Sequence, residues 1–293
     1  MSRHLIVNAD DLGMSEAVDR GILEAHARGI VTSATAITTA PTSERGIARA
    51  LRVAPRLGLG LHVDLSYGRP VLPPRQVPSL VREDGTFVDV TRGLAVPQHW
   101  DRHEVRAEVH AQFDRFVALA GRLPDHLDSH QLVGTFSTAC RDAMMDLALT
   151  HDLPVRAGGR STLGGLERSL AHRGAWQMML SPVLSRRLRA SRHVREADGR
   201  PRSPDVLELS FYGRRATTRR LLRILGALPE GVTELVCHPG YRGDERDAYA
   251  YREAELGVLT DSRVAARIVE GDIALTTYAV LKRPTRSAST SSR

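Results

Sequence analysis

Cysteine and lysine are scarce in this chain, and long apolar runs are missing. Cys140 and Cys237 are the only cysteines among 293 residues, one on a helical pattern and one on a strand pattern. They lie far apart and lack metal-site spacing, and both read as reduced core residues. Lys282 is the only lysine among 41 basic residues, the rest are arginine, and the net charge is +7. That excess invites a nucleic-acid reading. The densest basic stretch holds Arg186, Arg187, Arg189, Arg192 and Arg195, then Arg200 and Arg202, with no interleaved aromatic ring to stack on bases. It reads as a solvated helix and loop, with an anion-binding site as the lesser alternative, and no nucleic-acid partner is expected. No apolar run reaches the length of about 18 residues that a membrane helix needs. The N-terminus enters a strand pattern without a secretory signal, so the expected location is cytoplasmic.

The remaining composition suits one large core. Hydrophobic residues make up 42% of the chain, and single α/β barrels routinely reach this length. Strand patterns fall at His4–Ala9, Ser33–Thr39, Leu57–Leu65, His126–Ser129, Pro154–Ala157, Val206–Phe211, Thr233–His238 and Ile273–Tyr278. Helical patterns fall at Ser15–Arg28, His103–Gly121, Thr138–His151, Ala216–Leu228 and Ser262–Glu270. In the second of these, Val105, Val109, Phe113, Phe116, Val117 and Ala120 recur on one face. Alternation of strand and helix, repeated about eight times, predicts an α/β fold with a parallel sheet closed into a (β/α) barrel. One domain is expected over residues 1–282, with insertions at about 66–100 and 158–204 and a disordered polar tail at 283–293. The proline-rich first insertion follows a strand and is placed to cover an active site.

The chemistry begins at Asn8-Ala9-Asp10-Asp11. The apolar Leu5-Ile6-Val7 before it reads as a buried strand, and Leu12-Gly13 after it as a turn. Two adjacent carboxylates there suit a metal ligand beside a general base, or, more plainly, a helix N-cap. His62, His130 and His238 also fall toward the C-terminal ends of strand patterns, the face where barrel active sites gather. An aspartate with two histidines forms a metal triad with open positions. Amide hydrolysis also requires a base for water and an acid for the departing amine. Asp11, His62 and His130 are therefore the candidate metal ligands, Asp10 the candidate base and His238 the candidate acid. Asp128 shares a strand face with His126 and His130. It is placed to orient a metal-bound histidine or to bind substrate or a backbone amide. Arg156 is a candidate for substrate or acetate binding, with a structural ion pair as the alternative. Asp64 reads as structural, and His26, His103 and His110 as solvated.

These motifs resemble the YdjC/ChbG-type carbohydrate deacetylases, including the HpnK-like branch. The resemblance is carried by Leu5 to Gly13, Gly29-Ile30-Val31-Thr32-Ser33 and Gly60-Leu61-His62. It continues through Pro124 to His130, Glu234 to Gly240, Arg252-Glu253-Ala254-Glu255-Leu256 and Leu259-Thr260-Asp261. It implies a distorted TIM-like barrel, one divalent ion (magnesium or zinc) and removal of an acetyl group from an N-acetylated sugar. It further implies metal ligation by Asp11, His62 and His130, base and acid roles for Asp10 and His238, and a homodimer. One departure stands out. Where such proteins often continue with further histidines, this chain reads His130-Gln131-Leu132-Val133-Gly134. The triad remains, and the loss bears on substrate choice and activity. Two other classes compete: a glycoside hydrolase, which needs two carboxyl groups flanking the scissile bond, and a basic binding protein on a catalytically impaired barrel.

Overall fold

The computed structural model describes residues 2–88, 99–156, 160–161, 201–243 and 249–282. Its centre is β1 (Arg3–Leu12), whose last eight residues are buried without interruption. Such a run suits a strand covered on both faces in a parallel sheet. Around it lie β2 (Ser33–Ala36), β3 (Gly58–Val63), β4 (Leu127–Ser129), β5 (Arg160–Ser161), β6 (Val206–Glu208), β7 (Gly231–Cys237) and β8 (Ile273–Thr276). They form one parallel sheet in the order β4-β3-β2-β1-β7-β6-β5, with β8 paired to β1. The sheet curls into a half-barrel. Its outer strands are linked by the chain itself. Leu127 N–H donates to the Pro154 carbonyl at 3.0 Å, Arg156 N–H donates back to Leu127 at 2.9 Å, and the chain then reaches β5 beside β6.

The helices are α1 (Glu16–Arg28), α2 (Ser43–Val53), α3 (Arg102–Ala120), α4 (Val133–Phe136), α5 (Thr138–Thr150), α6 (Thr218–Gly226), α7 (Arg252–Leu259) and α8 (Ser262–Glu270). They pack neighbour to neighbour, with α7 on α1, α1 on α2, α2 on α3, α3 on α5 and α6 on α8. Local sequence explains their ends. The Ser15 side chain accepts from Val18 N–H at the start of α1. Asp101 accepts from His103 and Glu104 N–H at the start of α3, and Gly121 closes that helix at φ 66°. Between them Val105, Val109, Phe113 and Phe116 are buried, each contributing roughly 1.5–3 kcal/mol.

The α/β barrel expectation agrees with this architecture, with several corrections. The first strand runs through Leu12, past the expected end at Ala9. Of the expected strand Pro154–Ala157, the described residues form a single bridge, Val155 to Leu127, with the Val155 N–H donating on its other side to the Arg202 carbonyl; Ala157 lies outside the described residues. Helices α2, α4 and α7 were not expected from periodicity. His26 and His110 are half-buried rather than solvated, His26 because its Nδ1 lies 2.8 Å from the Val31 carbonyl. Cys140 on α5 and Cys237 on β7 are buried free thiols, as expected. The described part of the first insertion folds against α3, with Val71 and Leu72 N–H donating to Glu108. The arginine cluster from Arg186 to Arg200 and the tail at 283–293 lie outside the described residues.

Candidate functional site

The two aspartates reach one cavity because β1 breaks register there. Asn8 and Ala9 pair with Ser33 and Ala34, but Leu12 pairs with Ala36, which leaves an irregularity across Asp10 and Asp11. An extra residue in a strand bends it and re-aims side chains that would otherwise point to opposite faces. Asp11 takes φ 77° to do so, a left-handed conformation unusual outside glycine.

Asp10 is gripped on both oxygens. Arg156 donates from Nη1 to Oδ2 and from Nη2 to Oδ1, each at 2.7 Å. Asn8 Nδ2 adds a bond to Oδ1 at 2.9 Å. Burial would raise this carboxyl's pKa, but the Arg156 charge, helped by His62, holds it well below the ordinary value. Asp11 is held differently. Its Oδ2 accepts from Arg252 Nη2 at 2.8 Å. Its Oδ1 faces His130 Nδ1 at 3.0 Å and His62 Nε2 at 3.5 Å, and no hydrogen bond of good geometry reaches it among the described residues. Burial opposes its ionisation too, and Arg252 and His130 outweigh burial.

His62 on β3 sits opposite Asp128 on β4 in the sheet register. The pairing brings His62 Nδ1 within 2.6 Å of Asp128 Oδ1 and turns Nε2 toward the aspartates. Burial alone would lower the pKa of His62, but Asp128 and Asp10 raise it well above the ordinary value. His130 opens the turn after β4, with its Nδ1 3.4 Å from His62 Nε2. His238 follows β7, and its Nε2 lies 3.8 Å from Asp10 Oδ2. Burial lowers the pKa of His238 to about 4, against the opposing pull of Asp10 and Asp11.

All five expected residues, Asp10, Asp11, His62, His130 and His238, therefore meet at one end of the sheet. Asp11, His62 and His130 offer ligand atoms within 4.8 Å of one another. An unsatisfied buried carboxylate oxygen beside two imidazole nitrogens, one fixed from behind by a carboxylate, fits a metal ion. Asp128 and Arg156 are buried in the same network. Arg156 spends its guanidinium on Asp10, on Asp128 at 2.8 Å and on Glu234 at 2.8 Å. His126 stacks on Tyr278 at 3.5 Å instead of joining the site.

Sequence reasoning gave no role to Arg252, Glu234 or Glu255. Arg252 and Glu255 sit in a motif quoted above, three residues apart, but their partners are remote and no local spacing points to them. Burial raises the pKa of Glu234 to about 7 and that of Glu255 to about 8. Aromatic rings flank the cluster. Tyr67 lies 6.3 Å from His130 and Tyr212 5.4 Å from His238, centroid to centroid.

The chain is similar to several known proteins along nearly its whole length. The model of the family described as YdjC-like protein matches residues 4–270. A carbohydrate deacetylase of Thermoanaerobacter pseudethanolicus is 30% identical over 285 residues, covering 96% of this chain and 100% of that one. A chitooligosaccharide deacetylase of Proteus mirabilis is 32% identical over 284 residues, covering 95% and 98%. A crystal structure from Enterococcus faecalis V583, described as a cellobiose-phosphate cleavage protein, superposes with a TM-score of 0.79. It is 31% identical and covers 97% of this chain and 100% of that one. With the paired aspartates and the three site histidines all inside the matched span, the chain belongs to the YdjC-like protein family.

Proposed function

We propose that this chain is a metal-dependent hydrolase that removes acetyl groups from N-acetylated sugars, such as chitooligosaccharides or an N-acetylglucosaminyl glycolipid. The observation that carries the reading is the convergence of Asp11, His62 and His130 with Asp10 and His238 alongside. The names of the relatives support the substrate class. A divalent ion held by Asp11, His62 and His130 would supply a Lewis acid that lowers the pKa of water and polarises the acetyl carbonyl. Two nitrogen donors favour zinc or another first-row ion over magnesium, which prefers oxygen.

The protein's own groups handle the protons. Asp10, kept ionised by Arg156, takes a proton from the attacking water. Water oxygen bonds to the acetyl carbon, the C–N bond breaks, and the amine leaves with a proton delivered by His238. With a pKa near 4, His238 is neutral at rest, and Asp10 at 3.8 Å is its proton source. Asp128 fixes the His62 ring, and Arg156 fixes Asp10.

The test is acetate release from N-acetylglucosamine oligomers by metal-stripped protein and after zinc, magnesium, manganese or cobalt is restored. Release that returns with metal and vanishes in Asp11→Ala supports the reading. Release unaffected by stripping refutes it.

A further inference from the structure

Helix α7 touches both halves of the site. Arg252, only 4% exposed, donates to Asp11 Oδ2 at 2.8 Å, and its Nη1 reaches the His238 carbonyl at 3.5 Å. Glu255, one turn along and fully buried, accepts from the His238 backbone N–H and from the Tyr249 hydroxyl. Gly240 N–H donates to the Arg252 carbonyl at 3.3 Å. A Cβ at Gly240 would stand 2.8 Å from Arg252 Cδ, so glycine lets the two segments close together. Both backbone polar groups of His238 and the far oxygen of Asp11 are thus held from a single helical turn.

The strain at Asp11 gives this contact a purpose. A non-glycine residue at φ 77° is strained and persists only where its surroundings fix it. The guanidinium on Oδ2 fixes the side chain, leaves Oδ1 facing His62 and His130, and blocks a two-oxygen grip on a metal. We propose that Arg252 and Glu255 are positioning residues. Arg252 sets Asp11 as a one-oxygen metal ligand, and Glu255 sets His238 against Asp10. The inference rests on the deacetylase reading for the roles of metal and acid.

Zinc affinity of the metal-stripped full chain, measured by titration calorimetry, tests the first assignment. Arg252→Met removes the guanidinium, and Arg252→Lys keeps the charge without the planar fork. Affinity should fall about 10–100-fold in Arg252→Met, as for other supports of metal ligands, and less in Arg252→Lys. Equal affinity in all three folded proteins overturns the assignment. Should Arg252→Met fail to fold, unchanged affinity in Arg252→Lys overturns it. For Glu255, the ratio of amide to ester cleavage is the readout, because an alkoxide leaves with less help from an acid. Glu255→Leu should retain zinc affinity and lower that ratio, and Glu255→Gln should restore it. An unchanged ratio in Glu255→Leu overturns the second assignment. A wild-type protein that binds no metal defeats the deacetylase reading itself, which separates the two failures.

Discussion

Asp10 and Asp11 are neighbours in sequence with different surroundings, and the arginine that each one meets sets the difference. Asp10 receives a two-pronged grip from Arg156 on both oxygens. Asp11 receives one bond from Arg252, which leaves its other oxygen toward the histidines. Asp10→Asn should therefore retain zinc affinity while turnover falls by about 10²–10⁴-fold, the usual contribution of a general base. Calorimetry and acetate release, run on the same preparation, check both halves. The grip also sets the pH profile. Arg156 lowers the pKa of Asp10, so this carboxylate is ionised well into acid. Arg156→Lys gives up the planar fork, raises that pKa and moves the acidic limb of kcat/KM to higher pH. A limb that stays in place or moves toward acid would contradict the grip. The residue types were legible in the sequence, because Asp-Asp and histidines at strand ends suit metal-assisted hydrolysis. Their arginine partners were not, since those lie 146 and 241 residues away along the chain.

Adjacent strands act as a pair at the level of elements. His62 on β3 and Asp128 on β4 face each other in register, and one step back Gly60 leaves the room that the His126 ring occupies. A Cβ at Gly60 would lie 2.4 Å from His126 Cε1, and that ring is already stacked on Tyr278 at 3.5 Å. Gly60→Val should therefore destabilise the protein by about 1–3 kcal/mol through overpacking, read by urea denaturation. It should also weaken zinc binding, because β3 carries His62. A variant as stable as wild type would show that the ring can move aside. Periodicity correctly placed α8 and nearly all of α1, α3 and α5, whose apolar stripes are long and whose caps are local. It missed α2, the one-turn α4 and α7. Helix α7 has Arg252 and Glu255 on its buried side, where an apolar pattern would place hydrophobic residues.

At the scale of the whole molecule, the three candidate ligands come from three parallel strands or the turns that follow them, and they meet only once the sheet has curled. An unfolded chain holds no such triad, so metal binding is coupled to folding. Zinc at about a hundred times its Kd should add about 2.7 kcal/mol of stability and raise Tm. A chelator should reverse the gain, and Asp11→Ala should abolish it. Thermal melts with and without zinc check this, and an unchanged Tm in wild type would count against a site built by these residues. Spacing and residue type were enough to announce a parallel α/β fold and the chemical classes gathered at one end of it. Both properties are local, since strand period, helical period and side-chain chemistry belong to short stretches of chain. Folding in three dimensions set the contacts: it bulged β1, paired His62 with Asp128, and delivered Arg156 and Arg252 to neighbouring carboxylates. Those contacts depend on register and sheet curl, which join segments too distant in the chain for any local pattern to record.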